Sequence, residues 1–309
     1  MTLETDLLLD RRRLKRRLLL WRTAAVVAVV ACVFLVIGRS GLGLGGANVA
    51  RLSINGMITE QRKLIETVAA LADDDATKAL IVSIDSPGGT VSGGEAFYRA
   101  ISKVAEKKPV VAVMGGLAAS AGYMVAMPSA RIYAHEATLT GSIGVILETG
   151  EASGLLAKIG VTADAITSGP LKDQPSFTKP MTQQGREVLH GLVMDMYDQF
   201  VGMVATGRHM DPDRVRELAD GRAYTGRQAL KLGLIDAIGG EPEARQWLAS
   251  EHGVSATLPV REVRTGGLTG RVFGDGADGV LGVALKILLS QGLMLDGAWA
   301  VWQPSSQGD

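Results

Sequence analysis

The sequence predicts an α/β fold with a largely parallel sheet and a helical C-terminal part. Two runs, Ala79–Ile84 and Val110–Met114, are continuously apolar, which is typical of strands covered on both faces of a sheet. Between such runs lie stretches with apolar residues at helical spacing, for example Gln61–Leu71. Because strand-like and helix-like stretches alternate, we expect parallel strands joined by crossover helices. Helical patterns dominate from Thr182 to Ala249.

The individual elements follow from the same patterns. In chain order we predict a strand at Val49–Ile54, a helix at Gln61–Leu71, a strand at Ala79–Ile84, a helix near Glu95–Val104, a strand from Val110, a helix beginning near Ser120, short strands near Ile132 and Ile143, a helix at Leu155–Ile159 and a strand at Ala163–Thr167. The glycine pair Gly115-Gly116 is expected to end the strand that begins at Val110. The pair Asp211-Pro212 indicates a further helix start.

Composition limits the classes of function. The chain has 309 residues and a formal net charge of zero, so no overall charge favours nucleic-acid binding. Its one cysteine, Cys32, excludes an internal disulfide and a thiolate-rich metal site. We therefore expect neither a metal nor a nucleic-acid partner.

The N-terminus predicts a membrane anchor. A basic block, Arg11–Arg17, precedes the apolar stretch Leu18–Ile37, whose 20 residues match a hydrocarbon core of about 30 Å. Arg22 lies one turn inside this stretch, close enough to reach the headgroups. The positive block places the N-terminus in the cytoplasm and the rest of the chain outside it. Two alternatives are a cleavable signal peptide and a lipoprotein cleavage box at Val29–Cys32, but the apolar run continues past that box.

These features divide the chain into five parts. We predict a cytoplasmic basic N-terminus at 1–17, a transmembrane anchor at 18–38, a glycine-rich linker at 39–48, a catalytic domain at 49–250 and a C-terminal extension at 251–309. Within the extension, Val280–Leu295 is apolar but short for a span and interrupted by polar residues, so it is predicted to pack as an amphipathic or membrane-surface element.

Ser120 is the candidate nucleophile. It follows an apolar strand and lies in a run of small residues, Gly115–Gly122, that lets other backbone and a substrate approach its hydroxyl. The adjacent pair Gly88-Gly89 follows another strand and can expose backbone N–H groups, which suit a developing oxyanion. A plain turn between strand and helix explains the same glycine pair.

The base that would activate Ser120 has two candidates. His135 ends the predicted strand that follows Ser120, and Lys172 lies in a loop after an apolar stretch, where α/β folds place their sites. A lysine base must be neutral, and an ordinary lysine pKa lies near 10.4, so burial or a cationic neighbour would have to lower it. From the residues alone, His135 and Lys172 remain comparable.

Five motifs in order resemble those of the signal peptide peptidase A family. They are DSPGG at Asp85–Gly89, AASAGY at Ala118–Tyr123, TGSIGV at Thr140–Val145, SGPLKD at Ser168–Asp173 with Met181-Thr182, and the stretch Gly221–Asp236. Together they span about Val49 to Gly240. The resemblance implies a short, single-copy member of a group of membrane-anchored bacterial proteases with a Ser/Lys dyad. It also implies a Clp/crotonase-like ββα superhelix.

The resemblance assigns roles residue by residue. Ser120 matches the nucleophile, Lys172 the general base, and Ser142 the hydroxyl that orients the lysine amine. The backbone N–H groups of Gly89 and Ala121, with Gly88 beside them, match the oxyanion hole. Ala121 departs from the family pattern, which has glycine there. Clp-type proteases take a histidine from a comparable strand, so His135 remains the minority candidate for the base.

The resemblance further implies a location, a substrate and an assembly. The protein would sit in the bacterial inner membrane as a single-pass protein with its catalytic domain on the periplasmic side. It would degrade remnant signal peptides, and other envelope peptides, through an acyl-enzyme, without a cofactor. Members of this length resemble ring or dome homo-oligomers. Two alternatives are a crotonase-like acyl-CoA enzyme, which needs no Ser/Lys pair, and a catalytically inactive membrane scaffold.

Overall fold

The computed structural model describes residues 46–264, together with 20–23, 27 and 299–301. The chain divides at Val49 into two compact units. In the first unit the described residues 20–23 and 27 are helical, and their side chains are exposed. Most of the predicted anchor Leu18–Ile37, the basic block and most of the linker lie outside the described residues. Among the helices that the structure does describe, none has the length and apolar character needed to cross a membrane.

The second unit is built on one mixed sheet. Its strands are β1 (Asn48–Asn55), β2 (Thr77–Ser86), β4 (Val110–Ala119), β5 (Arg131–Ala134), β6 (Leu139–Gly141), β7 (Ala223–Thr225), β8 (Ala237–Ile238) and β9 (Val260–Glu262). They are ordered β7-β6-β4-β2-β1-β9, with β5 beside β4 and β8 beside β5. The pairs β1–β9, β2–β4, β4–β5, β4–β6 and β5–β8 are parallel, whereas β6 and β7 are antiparallel. The predicted α/β class is confirmed.

Two further strands stand apart from that sheet. They are β3 (Gly88–Thr90) and β10 (Trp299–Val301), which pair with each other in antiparallel orientation. The described helices are α1 (Arg62–Ala70), α2 (Val91–Ala105), α3 (Ala121–Met124), α4 (Ser153–Lys158), α5 (Gln183–Arg208), α6 (Pro212–Leu218), α7 (Gly226–Lys231) and α8 (Glu241–His252). The helical character predicted from Thr182 to Ala249 is thus found in α5 to α8.

Both faces of the sheet are buried, which explains the continuously apolar strands. Along β4, Ala112 and Met114 contact the larger core beneath α2 and α5, whereas Val111 and Val113 contact a second core beneath α8. Successive residues of a strand point to opposite faces. A strand that supplies two cores therefore needs apolar residues at every position.

Two details of the predicted strands were wrong. Ala163–Thr167 forms no strand: it is exposed and irregular, and the side chain of Ile166 is fully exposed. Its apolar pattern has no neighbouring strand to pair with. The strand from Val110 does not end at Gly115-Gly116 but continues to Ala119, because its last residues pair with β6.

Candidate active site

Ser120 lies in a sharp turn between β4 and α3. Its backbone has φ 55° and ψ −121°, in a region that residues with a side chain rarely occupy. Such a conformation costs on the order of 1–3 kcal/mol and persists only where surrounding contacts enforce it. Here the Ser120 N–H donates to the carbonyl of Gly141 at 2.8 Å, and the Ser120 carbonyl accepts from Tyr123 and Met124. A strained strand-to-helix turn is also how α/β-hydrolases present a nucleophilic serine.

The hydroxyl of Ser120 is buried and finds no hydrogen-bond partner among the residues that the structure describes. Buried polar side chains are usually paired, so this exception calls for an explanation. Only two other side-chain atoms in the described part of the chain share the property, Ser129 Oγ and Arg131 Nε. An unpaired hydroxyl on a strained turn is suited to reacting with a group that arrives from outside the chain.

The glycine pair Gly88-Gly89 lies on β3, next to this turn. Gly88 has φ 112°, a left-handed conformation that favours glycine. A Cβ at residue 89 would stand 1.9 Å from the carbonyl oxygen of Ile58, so no side chain fits there. The pair therefore adopts a backbone conformation that a side chain would prevent. An oxyanion site built from backbone N–H groups requires such an unobstructed backbone.

Ser86 holds the backbone just before the glycine pair in place. Its buried hydroxyl donates to the carbonyl of Gly56 at 2.6 Å and accepts from the N–H of Gly88 at 3.0 Å. Its carbonyl also faces α3: a Cβ at Gly122 would lie 2.9 Å from it. Ser86 thus links the turn that follows β1, the glycine pair and the helix after Ser120.

Asp85 supports the strand that ends at Ser120. Between Ile84 and Ser86 the pairing of β2 with β4 shifts, from Ile84 opposite Met114 to Ser86 opposite Ala118. Three residues of β4 therefore stand against the single residue Asp85. The Asp85 carboxylate accepts the N–H of Leu117 at 3.1 Å, which satisfies a donor that the irregular pairing leaves free. Beyond this bulge the second neighbour of β4 changes from β5 to β6, while Ala118 still faces Ser86 of β2.

Ser142 lies beside the turn at Ser120, and its side chain makes no hydrogen bond to Lys172 in the described structure. It has φ 47°, is 5% exposed, and its N–H donates to the carbonyl of Arg222 at 2.9 Å. Gly141, the acceptor for Ser120, precedes it directly. Two of the three described non-glycine residues with positive φ are thus Ser120 and Ser142, which indicates that both are held in place by their surroundings.

Lys172 lies on the surface of a segment that makes few core contacts. Its side chain is exposed and has no ion pair or hydrogen bond among the described residues, and its N–H donates to the carbonyl of Gly169 at 3.1 Å. The segment around it exposes large apolar side chains, namely Ile146, Leu155, Ile159, Val161, Ile166 and Phe177. Within the described part of a single chain, Lys172 and the Ser120 hydroxyl are therefore not joined by a hydrogen bond.

His135 is also not brought to Ser120. Its side chain is exposed, and its ring lies by the turn before α8, where a Cβ at Gly240 would stand 3.4 Å from its Cε1. Tyr123, three residues after Ser120, is buried, and its hydroxyl donates to the carbonyl of Leu234 at 2.7 Å. Burial raises the pKa of Tyr123 above its ordinary value, so it stays protonated and is no base for Ser120.

Sequence reasoning missed the two supporting residues Ser86 and Asp85. Both belong to the DSPGG motif, and a polar pair directly before a Pro-Gly-Gly turn was the available signal. Within the described residues, no group of three or more histidine, cysteine or acidic side chains is arranged to hold a metal ion.

Comparison with known proteins identifies the family of this chain. The family model "Peptidase family S49" matches residues 102–255, and the model "Clp protease" matches residues 50–143. "Putative protease slr0021" of Synechocystis sp. is 42% identical over 207 residues, which cover 67% of this chain and 75% of that protein. The chain belongs to the signal peptide peptidase A family, peptidase family S49. This membership supports a serine protease, and the Clp model supports a Clp-like fold.

Two relatives of lower sequence identity also match this chain. "Putative protease MJ0651" of Methanocaldococcus jannaschii is 33% identical over 243 residues, which cover 73% of this chain and 78% of that protein. "Serine protease SPPA, chloroplastic" of Arabidopsis thaliana is 36% identical over 210 residues, which cover 66% of this chain and 31% of the plant protein.

Proposed function

We propose that this S49 peptidase is a membrane-anchored serine endopeptidase that cleaves peptides through an acyl-enzyme on Ser120, with Lys172 as the general base. The observation that carries the proposal is the buried, unpartnered hydroxyl of Ser120 on a strained turn next to the glycine pair Gly88-Gly89. The neutral amine of Lys172 would take the hydroxyl proton while the Ser120 oxygen attacks the peptide carbonyl.

The oxyanion would be bound by backbone amides. Ala121 is the first residue of α3, so its N–H has no partner inside that helix. Gly89 lies on β3 and has no side chain of its own beside its N–H. Collapse of the intermediate would release the amine fragment with a proton from Lys172. The same lysine would then activate the water that hydrolyses the ester.

Because Lys172 is exposed, a further contact would have to bring its amine to the Ser120 hydroxyl. In the described chain, the segment that carries it exposes six large apolar side chains, from Ile146 to Phe177. Exposed large apolar side chains that cluster on a surface are typical of a protein–protein interface. We propose that a second copy covers this segment in a homo-oligomer, and that covering it brings a Lys172 amine to a Ser120 hydroxyl and to Ser142.

The proposed substrates are remnant signal peptides in the membrane, and other envelope peptides. The apolar stretch Leu18–Ile37 would anchor the catalytic domain at the outer face of a bacterial inner membrane, with the N-terminus in the cytoplasm. An anchor of this kind raises the local concentration of membrane-bound peptides near the site.

A serine-directed probe and a pH–rate profile test the assignment. We expect an adduct on Ser120 and a peptidase rate that rises toward alkaline pH, because only the neutral amine accepts the proton. Lys172→Ala should remove the activity, whereas Lys179→Ala should keep it, since Lys179 lies just after the same segment and pairs with Asp164. Loss of activity in His135→Ala with full activity in Lys172→Ala would contradict the dyad. No adduct at alkaline pH would favour the inactive scaffold or the crotonase-like enzyme.

A further inference from the structure

A cleft of about 630 Å³ lies at the end of β4 that is far from Ser120. Val110, the first residue of β4, lines this cleft, whereas Ser120 follows the last residue of the strand. Ten strand residues at about 3.3 Å each put roughly 30 Å between the two places. Sites for small molecules have volumes of about 300–1,000 Å³, so the cleft is large enough for a short peptide. It is separate from the site assigned above.

Ser129 links this cleft to the turn that carries Ser120. It lines the cleft, is 5% exposed, and its hydroxyl has no hydrogen-bond partner among the described residues. Backbone hydrogen bonds continue from the Ser120 carbonyl, through the turns after α3, to the Ser129 N–H, which donates to the Ala126 carbonyl at 3.0 Å. Ser120 and Ser129 thus lie at the two ends of one helical segment. Each has a buried hydroxyl that nothing in the described chain satisfies.

The segment between the two serines is tightly packed. Every residue from Ala121 to Met127 is buried. A Cβ at Gly207, near the end of α5, would stand 2.5 Å from the Met127 carbonyl oxygen, so α5 contacts the segment directly beside the cleft. Because close-packed interiors have low compressibility and transmit strain, a change at the Ser129 end will reach the Ser120 end.

The cleft carries more basic than acidic side chains. Among the described residues that line it, one is acidic and four are basic, namely Glu106, Lys107, Lys108, His209 and His252. Both lysines are engaged, one with the Asp73 carboxylate and the other with backbone carbonyls. The two histidine rings form no hydrogen bond or ion pair in the described structure, and that of His252 packs against Trp247. The histidine rings and the Ser129 hydroxyl are therefore donors without an acceptor, which suits an anionic oxygen.

We propose that this cleft binds the C-terminal carboxylate of a short apolar peptide. The carboxylate would accept from a histidine ring and from the Ser129 hydroxyl, turned toward it about χ1. The last carbonyls of α2 and α5 border the cleft, lack partners within their helices, and would accept peptide N–H groups. Tyr98, Pro109 and Met127 supply apolar walls for the peptide side chains.

Binding in the cleft would accelerate the reaction at Ser120. The backbone of Ser120 is strained, and the turn keeps its conformation only while surrounding contacts enforce it. A ligand that fixes Ser129 adds contacts at the other end of the same segment. We expect kcat to rise about five-fold, the lower end of typical allosteric coupling, with little change in KM. This acceleration rests on the proposed peptidase function, whereas the binding does not.

Calorimetry with Ser120→Ala protein tests the binding without catalysis. The probes are acetyl-Leu-Leu with a free carboxylate, the same dipeptide as its amide, and octanoate. We expect the acid to bind about ten-fold more tightly than the amide, because hydrogen bonds to a charged group are lost in the amide. Equal binding of the acid and the amide would overturn the site. Octanoate binding as tight as that of the dipeptide acid would overturn the assignment to a peptide.

Variants of the lining residues locate the binding. Ser129→Ala should bind the acid several-fold more weakly, and it should fold as the parent does, since its hydroxyl has no hydrogen bond to lose. The matched control is Ser102→Ala, because the Ser102 hydroxyl also lies at the cleft but already donates to the Tyr98 carbonyl at 2.8 Å. His252→Ala should likewise weaken binding, with the exposed His190→Ala on α5 as its control. Equal affinity of Ser129→Ala and Ser102→Ala proteins would overturn the site.

Peptidase kinetics with wild-type protein test the coupling. Saturating acetyl-Leu-Leu acid should raise kcat on a longer peptide about five-fold, and Ser129→Ala should lose this response while Ser102→Ala keeps it. A rise in KM alone would mean that the dipeptide occupies the active site, which would overturn the activation, as would binding with unchanged kcat. An absence of peptidase activity without the dipeptide and with it would instead refute the proposed function, and calorimetry would still decide whether the cleft binds the carboxylate.

Discussion

The turn that carries Ser120 and the segment that carries Lys172 differ in what holds them. Ser120 is enclosed by β4, β6 and α3, and its unusual backbone angles are kept by hydrogen bonds to Gly141 and from α3. The segment from Ile146 to Phe177 has one short helix, α4, none of whose residues is buried. The turn at Ser120 is thus fixed by contacts within one chain, whereas the segment that carries Lys172 has few such contacts in the described structure.

The largest effect is expected from removing the nucleophile. Ser120→Ala should lower kcat by roughly three orders of magnitude or more, because the catalytic groups act as a unit. It should leave the free energy of unfolding nearly unchanged, since the hydroxyl has no hydrogen bond to lose. Peptidase assays and chemical denaturation measure both quantities. Residual activity near that of wild type would remove Ser120 from the mechanism.

The origin of the base can be tested by mixing inactive variants. If a neighbouring copy supplies Lys172, co-assembly of Ser120→Ala with Lys172→Ala protein should restore part of the activity, because some sites receive an intact serine and an intact lysine. Re-assembly of either variant alone is the control. Lack of recovery in mixed oligomers would mean that both groups come from one chain, and that the segment moves as a unit.

Gly89→Ala tests the rigid backbone next to the turn that carries Ser120. Its Cβ would stand 1.9 Å from the Ile58 carbonyl oxygen, so backbone must shift and the oxyanion donor must move. We expect a loss of about 100-fold in kcat and a destabilisation of about 1–3 kcal/mol. Gly116→Ala is the matched control, because its Cβ would meet only Asp85 Oδ1 at 3.8 Å. Equal effects of the two substitutions would argue against a special role for the glycine pair.

Ser86→Ala should have a smaller effect on the backbone of the glycine pair Gly88-Gly89. It removes the acceptor for the Gly88 N–H and the donor to the Gly56 carbonyl, which leaves buried groups unpaired at a cost of about 1–3 kcal/mol. We expect kcat to fall more than KM changes, because the amide positions shift. Ser83→Ala, on the same strand and without a side-chain hydrogen bond in the described structure, serves as the control. A pure stability loss with unchanged kcat would make Ser86 a structural residue only.

The smallest effect on the isolated chain is expected from Ile166→Ser. Because this side chain is fully exposed, its replacement should not change the unfolding free energy of a monomer. If a second copy covers the segment, the same change weakens association, and sedimentation velocity will detect it. Leu230→Ser, on α7 and outside the segment, is the control. Unaltered assembly of Ile166→Ser would place the interface elsewhere.

Several features were predictable because they follow from local pattern. The continuously apolar strands required a sheet buried on both faces, and the alternation with helices required a largely parallel one. The candidate residues Ser120, Gly88 and Gly89 were found from small-residue runs next to strand ends. These signals lie within a few residues of one another, so the chain alone carries them.

Other features depend on pairing between distant parts of the chain. The apolar pattern at Ala163–Thr167 was typical of a strand, but no neighbouring strand accepts it, and pattern alone cannot report a missing partner. The strand β4 continues beyond Gly115-Gly116 because β6 pairs with its last residues. The Asp85 carboxylate accepts the Leu117 N–H at the resulting bulge. The strain at Ser120, the unpaired state of its hydroxyl and the strand at 299–301 beside Gly89 likewise result from contacts far apart in sequence. The sequence by itself determined the α/β class and the small residues around Ser120, whereas the tertiary structure decided which backbone groups lie next to Ser120 and which strands pair with β3.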